Sequence, residues 1–137
     1  MKQKSSGPKL PKVSEQMKAW SAALAAEVTG WPQVATRAFF GFTALYRQNK
    51  IFALLPRTRA MESQDSLAFK LEVPGPRILA QLQRDPRVGA TEMQKARWFT
   101  FEMTTGADLR EALDWLGKAY EAAGRSKKVR SIPGGNP

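Results

Sequence analysis

The side chains in this sequence best suited to chemistry are cations set among aromatic residues. Arg37, Arg47, Lys50, Arg57 and Arg59 fall in or beside a stretch that also holds Tyr46, and if they converge they set cations beside an exposed Tyr46 or Trp98. Farther along, Lys95 and Arg97 precede Trp98. Cationic groups neutralise phosphates and exposed rings stack on bases, so this mixture suits contact with a nucleic acid. A plainer description also fits: Arg and Lys keep strand edges wet while the aromatic residues fill a core. On that second description Trp20, Trp98 and Trp115 anchor helices to a sheet.

Catalysis has less to draw on. The 137 residues include no His and no Cys, which removes the commonest general base, thiolate nucleophiles, disulfides and Cys-based zinc sites. No GxxxxGK[ST] loop occurs and no GxGxxG turn follows a strand. The 12 carboxylates form no spaced pair of the kind used by glycosidases. Glu72 and Glu102 are expected close together across neighbouring strands beside Lys70, where cross-strand ion pairs on a solvated face account for them. A Ser/Lys or carboxylate hydrolase is left, but no sequence neighbourhood singles one out. The expectation is a non-enzymatic binding module with no metal and no cofactor.

Charge is unevenly distributed. Lys and Arg number 22 against 12 Asp and Glu, a formal net charge of +10. Residues 1–13 carry Lys2, Lys4, Lys9 and Lys12 with no acid, and residues 124–137 carry Arg125, Lys127, Lys128 and Arg130 with no acid. Each end therefore holds +4, and residues 14–123 hold only +2. Both ends are rich in Ser, Gly and Pro, a composition that buries too little to offset ordering entropy. They read as flexible basic tails around a single domain at 14–123. Such tails either attach to a polyanion or simply confer solubility. No apolar run approaches the length of a membrane span, and the N-terminus lacks the hydrophobic stretch of a secretory signal, so a cytoplasmic location is expected.

The elements that must position these residues follow from periodicity. Ser14 is a candidate N-cap, and Met17, Trp20, Leu24 and Val28 recur at helical spacing up to Gly30. Trp31-Pro32 stops that helix. From Val34 to Pro56, two apolar runs flank the polar residues Arg47, Gln48, Asn49 and Lys50, which reads as one hairpin with Gly41 as a bulge or close-packing point in its first strand. Residues 57–66 read as a loop. Leu67, Phe69, Leu71 and Val73 alternate as a third strand. Pro74-Gly75-Pro76 opens a short helix with Ile78, Leu79 and Leu82 on one side, ending by Asp85-Pro86. Residues 97–103 form a fourth strand with Phe99, Phe101 and Met103 on one face. Thr105 caps a last helix, with Leu109, Ala112, Leu113, Leu116 and Tyr120 along one stripe and Gly124 as its end. The expected fold is α+β: a small antiparallel sheet of about four strands, helices on one face, in the order α-β-β-β-α-β-α.

Two stretches carry a family resemblance. The run Ala38-Phe39-Phe40-Gly41-Phe42 through Lys50-Ile51-Phe52-Ala53 resembles the MmcQ/YjbR-like family and the related TfoX N-terminal domains. The run from Met93 through Phe101, followed by Asp108-Leu109, Trp115-Leu116 and Ala119-Tyr120-Glu121, is similar to the closing section of that family. There, a Lys-x-x-Trp strand precedes a helix ending in Ser-Tyr; here Ala119 stands in place of the Ser. The resemblance spans roughly residues 14–123. It implies a compact α+β domain with a small antiparallel sheet and a proposed DNA-binding role, and no catalytic residues. Lys95 and Trp98 are the positions that match a family motif with surface chemistry.

The leading expectation is binding of nucleic acid or another polyanion through the tails and the basic hairpin. The residues implicated are Arg37, Arg47, Lys50, Arg57, Arg59, Lys95, Arg97, Trp98, Arg125, Lys127, Lys128 and Arg130. The alternative is a small apolar ligand or a protein partner held on an aromatic sheet face or in a groove, with Met61, Met93 and Met103 as adaptable contacts.

Overall fold

The computed structural model describes residues 10–72, 74–89 and 97–131, of which 125–131 are described by their backbone. Among them the order is α1 (Glu15–Val28), β1 (Val34–Phe39), β2 (Phe42–Arg47), β3 (Lys50–Pro56), β4 (Ser66–Lys70), α2 (Pro76–Arg84), β5 (Val88–Gly89), β6 (Trp98–Glu102) and α3 (Leu109–Ser131). The six strands form one antiparallel sheet in the order β1-β2-β3-β4-β6-β5. The α+β class is as expected, but the sheet has six strands rather than about four.

The extra strands have identifiable causes. The stretch from Val34 to Pro56 folds as two hairpins, not one. Phe40 and Gly41 take φ values of 46° and 89°, and Gln48 and Asn49 take 48° and 71°. Positive φ at both central residues gives each two-residue turn the twist that matches its flanking strands. Gly41 is thus a turn residue between β1 and β2 and not a bulge within a strand. The bulge lies elsewhere: the register shifts at Leu45/Tyr46, where Leu45 opposes Ala53 and Tyr46 opposes Ile51. Phe52 is the extra residue, and both Phe52 and Ala53 join the main core. The short β5 pairs with β6 through Val88 and Gly89.

Strand alternation divides the buried residues into two clusters. The larger draws on all three helices and on Leu45, Phe52, Leu55, Leu67, Phe69, Phe99 and Phe101. Phe69 stacks between Phe99 (5.9 Å) and Trp115 (5.3 Å), which places Trp115 in the core. The smaller cluster, Phe42, Ala44, Leu54 and Ala68, contains no helical residue and is flanked by Tyr46, Ile51, Met61 and Trp98. It marks the opposite face of the sheet.

The helices begin as read. The Ser14 hydroxyl accepts from the Met17 N–H at 3.0 Å and donates to the Asp65 carboxylate, capping α1 and tying it to the loop before β4. Thr105 and Asp108 form a reciprocal capping box ahead of α3. Of the apolar residues on α2, Leu82 is buried in the main core, whereas Leu79 is exposed.

Three further expectations change. The last helix does not stop at Gly124 but runs on to Ser131, so Arg125, Lys127, Lys128 and Arg130 lie on helical backbone. A Cβ on Gly124 would collide with the Arg47 guanidinium, so this glycine makes room for a side chain rather than ending a helix. Of residues 1–13, positions 1–9 lie outside the described residues, while 10–13 run beside 58–60. Val13 N–H donates to the Thr58 carbonyl, Ala60 N–H to that of Pro11, and Lys12 bridges to Arg59. Finally, Glu102 pairs in register with Ser66 while Lys70 pairs with Trp98, which puts Glu102 at the other end of the strand from Glu72. Among the described residues Lys70 pairs with Glu72, at 3.2 Å.

Candidate nucleic-acid interface

Residues 28–61 contain Arg37, Arg47, Lys50, Arg57 and Arg59 and no Asp or Glu. These are β1, β2, β3 and the turns around them. The fold then sorts the five cations by strand face and sheet end.

Arg37 points to the face opposite the helices, where its guanidinium lies 5.3 Å from the centre of the Tyr46 ring. It stands two residues from the β1–β2 turn. At that turn Phe40 is 84 % exposed and Phe39 39 %, their rings edge-on at 4.9 Å. The backbone N–H groups of Arg57, Thr58 and Arg59 all donate to the Gly41 carbonyl, at 3.1, 2.9 and 3.1 Å. That three-way contact binds the chain after β3 to the hairpin tip. It brings the exposed Arg57 and Arg59 to that end of the hairpin, where Arg57 lines a groove with Lys18, Ser21 and Ala25 of α1 and Arg59 Nη1 donates to the Leu10 carbonyl at 3.5 Å. A Cβ on Gly41 would come within 2.8 Å of Arg59 Cγ, so the close approach of Arg59 depends on glycine.

Arg47 goes the other way. It turns under α3, where its guanidinium sits 4.1 Å over the Tyr120 ring and Nη1 donates to the Tyr120 carbonyl at 3.0 Å. Tyr120 is fixed in turn by its hydroxyl, which donates to the Pro32 carbonyl at 2.9 Å. Arg47 therefore joins sheet to helix and is not on the cationic tip. Lys50 pairs with it in register at the same end of the sheet. Arg97 is exposed at that end too, with φ of 69° and its carbonyl accepting from Leu71 N–H at 2.9 Å. Trp98 is half-buried against the smaller apolar cluster. Lys95 lies outside the described residues. Beyond its Arg47 contact, α3 continues into the turns carrying Arg125, Lys127, Lys128 and Arg130.

Of the cations expected at one surface, the structure thus brings Arg57 and Arg59 to the β1–β2 turn, with Arg57 on the helix side, while Arg37 stands near the same turn on the opposite face of the sheet. The sequence points to Tyr46 or Trp98 as the exposed rings beside the cations, whereas the exposed aromatic residues at that point are Phe39 and Phe40. Their exposure follows from the turn at Phe40-Gly41, and only the glycine hinted at it.

A second polar cluster escaped the sequence reading. Arg87 forks onto Asp85 with Nε to Oδ1 at 2.9 Å and Nη2 to Oδ2 at 3.1 Å, and its Nη1 reaches Asp108 at 2.8 Å and also Glu111. Burial pushes the Asp85 carboxyl up, but the Arg87 hydrogen bonds and charge outweigh it, so Asp85 is held below the ordinary carboxylate range. Asp108 is lowered chiefly by the Thr104 N–H, with the Thr105 N–H and Arg87 adding against burial. Arg87 is held charged, foremost by its hydrogen bond with Asp85. A groove of about 340 Å³ beside it is lined by Gln81, Arg84, Trp115 and Lys118 among others. Since Asp85, Asp108 and Glu111 all serve Arg87, the cluster ties the segment after α2 to the start of α3.

Among the described residues, no group of three or more His, Cys, Asp or Glu side chains is placed to hold a metal, and no helix is long and apolar enough to cross a membrane. The chain matches no protein-family model, no curated protein and no solved structure.

Proposed function

We propose that this chain is a non-enzymatic module that binds nucleic acid at the tip of the β1–β2 hairpin. The observation that carries the reading is the exposed pair Phe39 and Phe40 at a hairpin end that holds Arg37 on one face of the sheet and, tied to Gly41, Arg57 and Arg59, within a stretch, residues 28–61, that contains no acid. An exposed phenylalanine ring costs free energy that a stacked base would recover, and every base offers a π-face. The arginines add phosphate contacts on either side. The basic turns of α3 add attraction at longer range, with a reach that salt shortens. The same glycine-marked hairpin carries the resemblance to the MmcQ/YjbR-like family, for which DNA binding has been proposed, and a cytoplasmic setting belongs to this reading.

Fluorescence anisotropy with a labelled single-stranded oligonucleotide tests it. Three phosphate contacts predict a plot of log K against log salt with a slope of about −2, since each neutralised phosphate on a single strand contributes roughly −0.7. Replacing Arg57 and Arg59 by Ala should flatten that slope. Phe40→Ala should weaken binding with the slope intact, because stacking releases no counterions. An oligonucleotide that fails to bind at low salt, or binds equally well after all three changes, refutes the proposal.

A further inference from the structure

The two edges of the sheet differ sharply. At one edge β5 has two residues; at the other β1 has six, and Ala35–Phe39 are exposed on both faces. A long uncovered edge presents unpaired N–H and C=O groups, and proteins usually blunt it with proline, a bulge or several charges. The run Val34–Phe39 has no proline, pairs with β2 in unbroken register, and carries one charge, Arg37, folded onto the Tyr46 ring.

Which backbone groups are free follows from the turn. In a two-residue hairpin the flanking pair, Phe39 and Phe42, is a hydrogen-bonded pair, so odd-numbered residues of β1 direct their groups to β2. The Gln48 N–H bond to the Gln33 carbonyl, 3.2 Å, has the same parity. Even-numbered residues face outward. Val34 N–H turns back to the Trp31 carbonyl at 3.4 Å, which leaves the groups of Thr36 and Ala38 and the carbonyl of Val34 aimed away from the sheet.

We infer that β1 is the pairing edge for a second copy of this chain, joined antiparallel about a two-fold axis through Thr36. A two-fold antiparallel pairing must run perpendicular to the sheet, which keeps side chains of opposing residues on one face and places a residue opposite itself. Centring on Arg37 would set two guanidinium groups directly opposite, which is unfavourable. Centring on Thr36 sets Val34 opposite Ala38 and Ala35 opposite Arg37. It also matches outward-facing residues to outward-facing residues, so the backbone bonds close. The strand is in this sense complementary to itself, as a two-fold interface requires. The contact is small and both copies carry +10, so the dimer is weak and is strengthened by salt. Salt weakens the nucleic-acid contact instead, which keeps the two ideas separable.

Sedimentation equilibrium of the full chain over a range of concentrations, at low and high salt, is the test. Thr36→Pro removes an outward N–H without touching the β1–β2 ladder, and since Thr36 faces itself, each dimer loses two bonds. The dimer dissociation constant should rise about tenfold or more. Thr36→Lys sets like charges across the axis and should weaken the dimer most at low salt, with no backbone change. A chain that stays monomeric at every concentration and salt level overturns the inference, whether or not an acidic extended peptide occupies the edge instead. A dimer unaffected by Thr36→Lys, and by Thr36→Pro where that variant keeps its far-UV spectrum, overturns it equally.

Discussion

Arg47 separates a structural cation from a binding one, and its replacement by methionine measures the difference. Methionine keeps much of the aliphatic stem but removes the guanidinium that lies 4.1 Å over the Tyr120 ring and donates to the Tyr120 carbonyl at 3.0 Å. A charged donor on a carbonyl contributes about 1.5 kcal/mol at the low end, and a partly desolvated cation–π contact adds about 1 kcal/mol. Against this, Arg47 Nε is buried without a hydrogen-bond partner, and removing it returns about 1 kcal/mol. The expected net loss is about 1.5 kcal/mol, or a melting temperature lower by about 6 °C for a domain of this size. Urea unfolding followed by tryptophan fluorescence reads the stability, and oligonucleotide anisotropy on the folded variant reads the binding. The reasoning requires a clear stability loss with binding unchanged. A variant as stable as the parent would show that Arg47 does not hold α3 to the sheet, and one that loses binding as Arg57 and Arg59 variants do would return Arg47 to the interface.

Gly41→Ala should destabilise by about 1–2 kcal/mol, because φ of 89° is costly for alanine and its Cβ meets Arg59 Cγ; oligonucleotide affinity should fall with it as the tip rearranges, and unchanged denaturation and binding curves would contradict the assigned turn. Arg87→Met should shift acid unfolding to higher pH. Asp85 and Asp108 have lowered folded-state pKa values, so their contribution is present above the ordinary carboxylate value and is lost as pH falls through the lowered one; without Arg87 that window narrows, and circular dichroism across acid pH reads the shift.

The elements most readable in the sequence were those whose signals are local. Ser14 and Thr105 cap because a hydroxyl before a run of helical spacing has an orphan N–H within reach. Phe99, Phe101 and Met103 alternate inward because one strand face is buried. The β1–β2 turn was hidden because Phe40 occupies a left-handed position that favours glycine or asparagine, so Ala38 through Phe42 looked like continuous strand. The β5 strand has two residues, too few for any period to register. Gly124 has the identity of a helix stop, but its lack of a side chain serves Arg47 from a strand far away in sequence.

For the candidate site the division is sharper. Residue types alone settled that the chain lacks imidazole and thiol, and that residues 28–61 are cationic without acids. Composition and charge need no coordinates, and periodicity added the α+β class. Where each cation lies was decided by tertiary structure: Arg47 and Arg37 lie ten residues apart in one basic stretch, yet strand alternation and the packing of α3 send one under a helix and the other over the half-buried Tyr46 ring on the opposite face. The side-chain period of a strand is two, so one turn residue or one bulge reassigns every face downstream of it. No count along the chain carries that information until the strands have paired.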